Sequence, residues 1–105
     1  MFLAIAVRVL ACIMAYARAR IVVEGEVQGI GYRNFVRTRA TMQGITGWVM
    51  NLDDGRVEAV LEGEKEVIER VIDMCKKGPL FARVSNIDVK WEDKFDRYSS
   101  FTIKR

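Results

Sequence analysis

The chain has 105 residues and no histidine among them. That absence excludes a Ser-His-Asp triad, a Cys-His pair, a phosphohistidine intermediate and any metal site built on imidazole. Cysteine is nearly absent too. Cys12 and Cys75 are far apart and form no CxxC pattern, which argues against a zinc site or a disulfide framework and fits a reducing cytoplasm. No unbroken apolar run approaches the ~20 residues of a transmembrane span. Asn34 stands where the third glycine of a GxGxxG fingerprint would be, and no GK[ST] occurs, so neither a dinucleotide fold nor a P-loop is expected. An enzyme with this inventory works by positioning and electrostatics, not by a strong base.

The residues present are those of one globular domain. Half are hydrophobic and 30% are charged, ordinary proportions for a chain with room for a single core. The net charge of +3 favours anionic ligands but is too small to argue for nucleic acid. Residues 1–17 differ from the rest: MFLAIAVRVLACIMAYA is apolar apart from Arg8, and the first acid is Glu24. One reading is an export signal, with VLAC as a cleavage site. Against it, no positive charge precedes the apolar run and Arg8 interrupts it. The other reading, which the incomplete signal pattern favours, is an upstream start or a packed tail; a start at Met14 would keep every motif below. The expected division is an N-terminal apolar extension at 1–17 and a domain at 18–105.

From Arg18 onward the chain alternates between the two structural periods. Ala19, Ile21 and Val23 alternate with Arg18, Arg20, Val22 and Glu24 as a strand with one buried face. After a glycine-bearing turn, Phe35, Val36 and Ala40 fall at helical spacing up to Gly44. Thr46 to Asn51 and Arg56 to Glu62 form two strands around a Leu52–Gly55 hairpin turn, with Val57, Ala59 and Leu61 on one face and Glu58 and Glu62 on the other. A helix follows from Glu64 to Lys77, with Val67, Ile68, Val71, Ile72 and Cys75 as its stripe and Gly78-Pro79 as its stop. Ile87, Val89 and Trp91, and then Phe101 and Ile103, alternate as two more strands. The order predicts an α+β, ferredoxin-like sandwich, a mostly antiparallel sheet with two helices on one face.

Two segments carry chemistry. In VEGEVQGIGYR, Val23 to Arg33, two glycines one residue apart let backbone N–H groups turn inward as a nest. The helix beginning near Arg33 adds its unpaired N–H groups and positive dipole end, and the Arg33 guanidinium can grip a phosphoryl group with two bonds. Alone, a GxG before a helix is more often only a tight turn. In GWVMNLDDG, Gly47 to Gly55, Asn51 ends a strand. Its carboxamide could merely cap the turn, or it could hold a water by accepting and donating at once. Asp53 and Asp54 suggest a catalytic dyad only superficially, since adjacent acids in a turn are solvated and repel an anionic substrate.

Together these segments resemble the acylphosphatase family. Its V-x-G-x-V-Q-G-V-x-F-R motif is present as VEGEVQGIGYR, and its G-W-V-x-N-x-x-x-G-x-V-x5-G motif as GWVMNLDDGRVEAVLEG at Gly47 to Gly63. The resemblance runs from about Arg18 to Lys104. It implies hydrolysis of acyl phosphates to a carboxylate and inorganic phosphate, on the same ferredoxin-like fold. It also implies phosphate held by the loop Gln28, Gly29, Ile30, Gly31, Tyr32 and Arg33, with Arg33 contributing its side chain, and an attacking water oriented by Asn51. No metal or organic cofactor is implied. The expected protein is a cytoplasmic monomer acting on a small acyl phosphate, with no nucleic acid, membrane or obligatory protein partner. Ile30 stands for valine, Tyr32 for phenylalanine, and Met50 where many members carry a basic residue, a change expected to weaken substrate attraction.

Three other functions compete with this one. An RNA-binding module needs stacking aromatics on the open sheet face, where Glu58 and Glu62 are expected instead, and no RNP pattern occurs. A regulatory domain that binds without turnover would have no use for Asn51. A carbamoyl phosphate domain within a maturation enzyme would be joined to further domains, so the short chain favours a free-standing hydrolase.

Overall fold

The computed structural model describes residues 16–105. The extension at 1–17, with Arg8, Cys12 and its competing export reading, lies outside them except for Tyr16 and Ala17, which already belong to the first strand. That strand, β1 (Tyr16–Glu26), buries Ala19, Ile21 and Val23 as the alternation predicts. In register they face Leu61, Ala59 and Val57 of β3 (Val57–Glu64) on one side. On the other side they face Trp91, Val89 and Ile87 of β4 (Arg83–Glu92). Both pairings are antiparallel, so apolar side chains from three strands share one face. β2 (Thr46–Asn51) extends the sheet antiparallel to β3, and β5 (Phe101–Ile103) joins it in parallel, giving the order β4-β1-β3-β2-β5.

Two helices cover that face. α1 (Tyr32–Met42) buries Tyr32, Val36 and Ala40, one per turn, and lies over β2 and β5. α2 (Lys65–Lys77) buries Ile68, Val71, Ile72 and Cys75 and lies over β1, β3 and β4. Cover is thinnest at the edge strand, where Val89 and Trp91 remain 40% exposed and the Lys65 ammonium sits 5.0 Å from the Trp91 ring centroid. This is the ferredoxin-like sandwich expected, with the parallel β5 added beside β2.

The opposite face departs from expectation. Arg18 and Glu62, read as outward-facing, are 5% and 0% exposed. The cause is the connection from β4 to β5, which has to carry the chain from one sheet edge to the other. Residues 93–100 cross this face, and Glu62 accepts backbone N–H bonds from Asp96 and Arg97 at 2.8 and 2.9 Å. Arg18 bonds Glu62, Glu92 and Asp96 at 2.7–2.8 Å, and Arg20 bonds Glu58 and Glu92 at 3.0 Å. Trp48, also on this face, is buried beneath Lys104, whose ammonium lies 4.2 Å from the ring centroid.

Candidate active site

The loop between β1 and α1 is anchored by Val27, which is fully buried. It then turns through Gly29 and Gly31, with φ of 76° and 79°, a left-handed conformation that costs other residues about 1–2 kcal/mol. Gly31 is the N-cap of α1, and no side chain caps the helix; no acid occupies the first turn. The first helical bond runs from Phe35 N to Gly31 O at 2.9 Å. The N–H groups of Tyr32, Arg33 and Asn34 therefore have no helical acceptor, and they point with the positive end of the helix dipole toward the loop. Together with Arg33 they border a cavity of about 130 Å³, which is closed by Ile103 and Arg105 from the end of the sheet. Such a concavity, rich in donors and free of acids along its wall, suits a compact anion.

The side chains named from the sequence divide into distinct roles. Gln28 spends its amide on the hairpin, donating to Leu52 O and Arg56 O, both at 2.9 Å. Its side chain is a strut that fixes the loop against the residue after Asn51, which leaves its backbone for the loop's expected part in holding phosphate. Ile30 packs on the core. The Tyr32 ring is buried and its hydroxyl donates to Cys75 O at 2.8 Å; burial, reinforced by neighbouring Cys75, raises the hydroxyl pKa. Burial likewise pushes the Cys75 thiol up to about 12, so no thiolate is on offer. Of Gln28, Ile30 and Tyr32, only Tyr32 lines the cavity; the other two are not part of its wall. Arg33 lines the cavity and makes none of the ion pairs formed among the described residues.

Asn51 ends β2 opposite Val57, on the helix-covered face. Its carboxamide oxygen is buried with no hydrogen-bond partner. The turn is capped instead by Asp54, whose carboxylate accepts the Arg56 N–H at 3.1 Å and pairs with the Arg56 guanidinium at 2.8–2.9 Å. The turn-capping alternative for Asn51 is thereby removed, and so is a dyad of Asp53 and Asp54. Asn51 is not part of the cavity wall; it is joined to the loop through the Gln28 strut. Met50 pairs with Glu58 on the opposite face, away from the cavity, so the missing basic residue there leaves the cavity itself unaltered. Arg105, on the cavity wall, was not singled out from sequence; its signal was a two-residue continuation of the Phe101, Ile103 alternation. Among the described residues no cluster of three or more His, Cys, Asp or Glu side chains could hold a metal, and no helix is long and apolar enough to cross a membrane.

The acylphosphatase family profile matches residues 19–103. The chain is 44% identical over 90 residues to an acylphosphatase of Pelotomaculum thermopropionicum, covering 86% of this chain and 98% of that one. It is 49% identical over 80 residues to one from Haloarcula marismortui, covering 76% and 88%. The crystal structure of acylphosphatase from Bacillus subtilis superposes with a TM-score of 0.83 at 36% identity, covering 85% of this chain and 99% of that chain.

Proposed function

We propose a division of catalytic labour for this chain, which belongs to the acylphosphatase family and hydrolyses acyl phosphates to a carboxylate and inorganic phosphate. An acyl phosphate is a mixed anhydride with a good leaving group, and the loose transition state of phosphoryl transfer asks little deprotonation of the attacking water. The protein has to hold the phosphoryl oxygens, absorb their charge and place the water in line. The Gln28–Arg33 backbone and the N-terminus of α1 take the equatorial oxygens, and Arg33 adds a bidentate contact. The Asn51 carboxamide holds the water. As the water oxygen bonds to phosphorus, the bond to the acyl oxygen breaks with its electron pair, the carboxylate leaves, and the water's protons are shared between phosphate and solvent. No metal or organic cofactor has a part in these steps.

The observation that carries the assignment is the cradle: an uncapped helix N-terminus entered through two left-handed glycines, with a guanidinium in the same wall that makes no ion pair among the described residues. The proposed enzyme is a monomer acting in the cytoplasm with no obligatory partner. The test is phosphate release from acetyl phosphate and benzoyl phosphate with EDTA present. Wild type should turn over, with specific activity independent of protein concentration. Arg33→Ala should lose on the order of 3 kcal/mol of transition-state stabilisation, about a hundredfold or more in kcat/KM. An Arg33→Ala protein of wild-type activity would overturn the assignment.

A further inference from the structure

β5 ends at Ile103, but its ladder continues one step, with Lys104 N donating to Val49 O at 2.8 Å. The parallel pairing matches Gly47 to Phe101, Trp48 to Thr102 and Val49 to Ile103. Alternation then puts Lys104 on the Trp48 face, where it is found, and Arg105 on the face of Val49 and Asn51. The cavity agrees, since Arg105 lines it together with Arg33, Gly29 and Gly31. No Asp or Glu side chain lines that cavity, and the side chain of Arg105, like that of Arg33, makes none of the ion pairs among the described residues. Two guanidinium groups in one cavity repel each other, and a bound dianion relieves that repulsion.

We infer that Arg105 is a second phosphate-binding side chain of this site, working beside Arg33 on the phosphoryl oxygens. This rests on the cavity being the phosphate site. The register puts Arg105 on the same face of the sheet as Asn51, and in the proposed mechanism the water attacks from Asn51 while the leaving carboxylate departs opposite to it. Arg105 therefore meets the equatorial oxygens common to all acyl phosphates and is blind to the acyl chain.

The test is calorimetric binding of inorganic phosphate to the full chain, alongside KM for acetyl and benzoyl phosphate. Arg105→Ala should weaken phosphate binding about tenfold, the scale of one charge-assisted contact, and raise both KM values by the same factor. Arg105→Lys should recover part of this, as a point charge without the fork. Added salt should narrow the gap between wild type and Arg105→Ala. The thermal midpoint should not move, because the exposed Arg105 side chain makes no hydrogen bond or ion pair among the described residues. Unaltered phosphate affinity in Arg105→Ala, with affinity lost in Arg33→Ala, would overturn the role of Arg105 alone. A KM effect confined to one acyl group would also overturn it. Affinity kept in both variants would overturn the cavity as the phosphate site.

Discussion

Asn51 sets stability against activity at a single atom. A buried acceptor left without a donor costs about 1–3 kcal/mol, and its carboxamide oxygen is such an acceptor. In the proposed mechanism the attacking water donates to this oxygen, so the cost is recovered when substrate arrives. Asn51→Ala removes the orphan and the water's anchor together. The expected protein unfolds at the wild-type temperature or slightly above, binds inorganic phosphate normally, and loses kcat by roughly 10²-fold, the scale of one preorganised polar contact. Turnover of acetyl phosphate and a melting curve on the same sample check both signs. Full kcat would remove Asn51 from the chemistry. Sequence could not choose between the two roles of Asn51, because a turn cap and a water holder differ only in where the partners lie. The partner that relieved Asn51 of capping is Asp54, three residues on in a turn that several side chains could have served.

Elements set by short-range pattern were legible, and contacts between elements were not. The period-two runs of β1 and β3 and the stripes of α1 and α2 each follow from residues a few positions apart, and all four form. The Gln28 strut spans 24 and 28 residues to its two acceptors, and nothing local marks it. The same contrast separates two glycines in the recognised motifs. At Gly31 an added Cβ meets nothing within 4 Å, although φ is +79°. Gly31→Ala should cost only the backbone strain of about 1–2 kcal/mol, raising KM as the cradle distorts and leaving the fold intact. At Gly47 a Cβ would lie 1.8 Å from Val60 O on the neighbouring strand. Gly47→Ala has to prise β2 from β3 at the centre of the sheet, and should yield little folded protein. Circular dichroism and melting curves of the two variants decide; equal stability would show that the strands accommodate a side chain at Gly47.

Across the whole molecule, the charged face of the sheet supports the site on the other side. Residues 93–100 deliver β5 to its place beside β2, and with it Ile103 and Arg105 to the cavity. What fastens that connection is the set of carboxylates around Arg18 and Arg20. The bond from Arg18 is the main cause that holds the Glu92 carboxyl below its ordinary value of 4.5, with burial opposing and Arg20 adding to it. The Tyr98 hydroxyl, followed by Arg18, does the same for Asp96 below 3.8. Both groups bind protons less readily folded than unfolded, so they stabilise the fold above the ordinary carboxylate values. That contribution is lost as pH falls through their depressed values. The melting temperature should therefore be level around neutrality and fall on acidification from about pH 4.5 downward. Glu92→Gln removes one titrating member while keeping its shape. Its melting temperature at neutral pH should be lower, and its decline on the acid side shallower, than in the wild type. The acid-side decline would keep its full slope if the sensitivity arose elsewhere, and the connection to β5 would then be held by packing instead of charge.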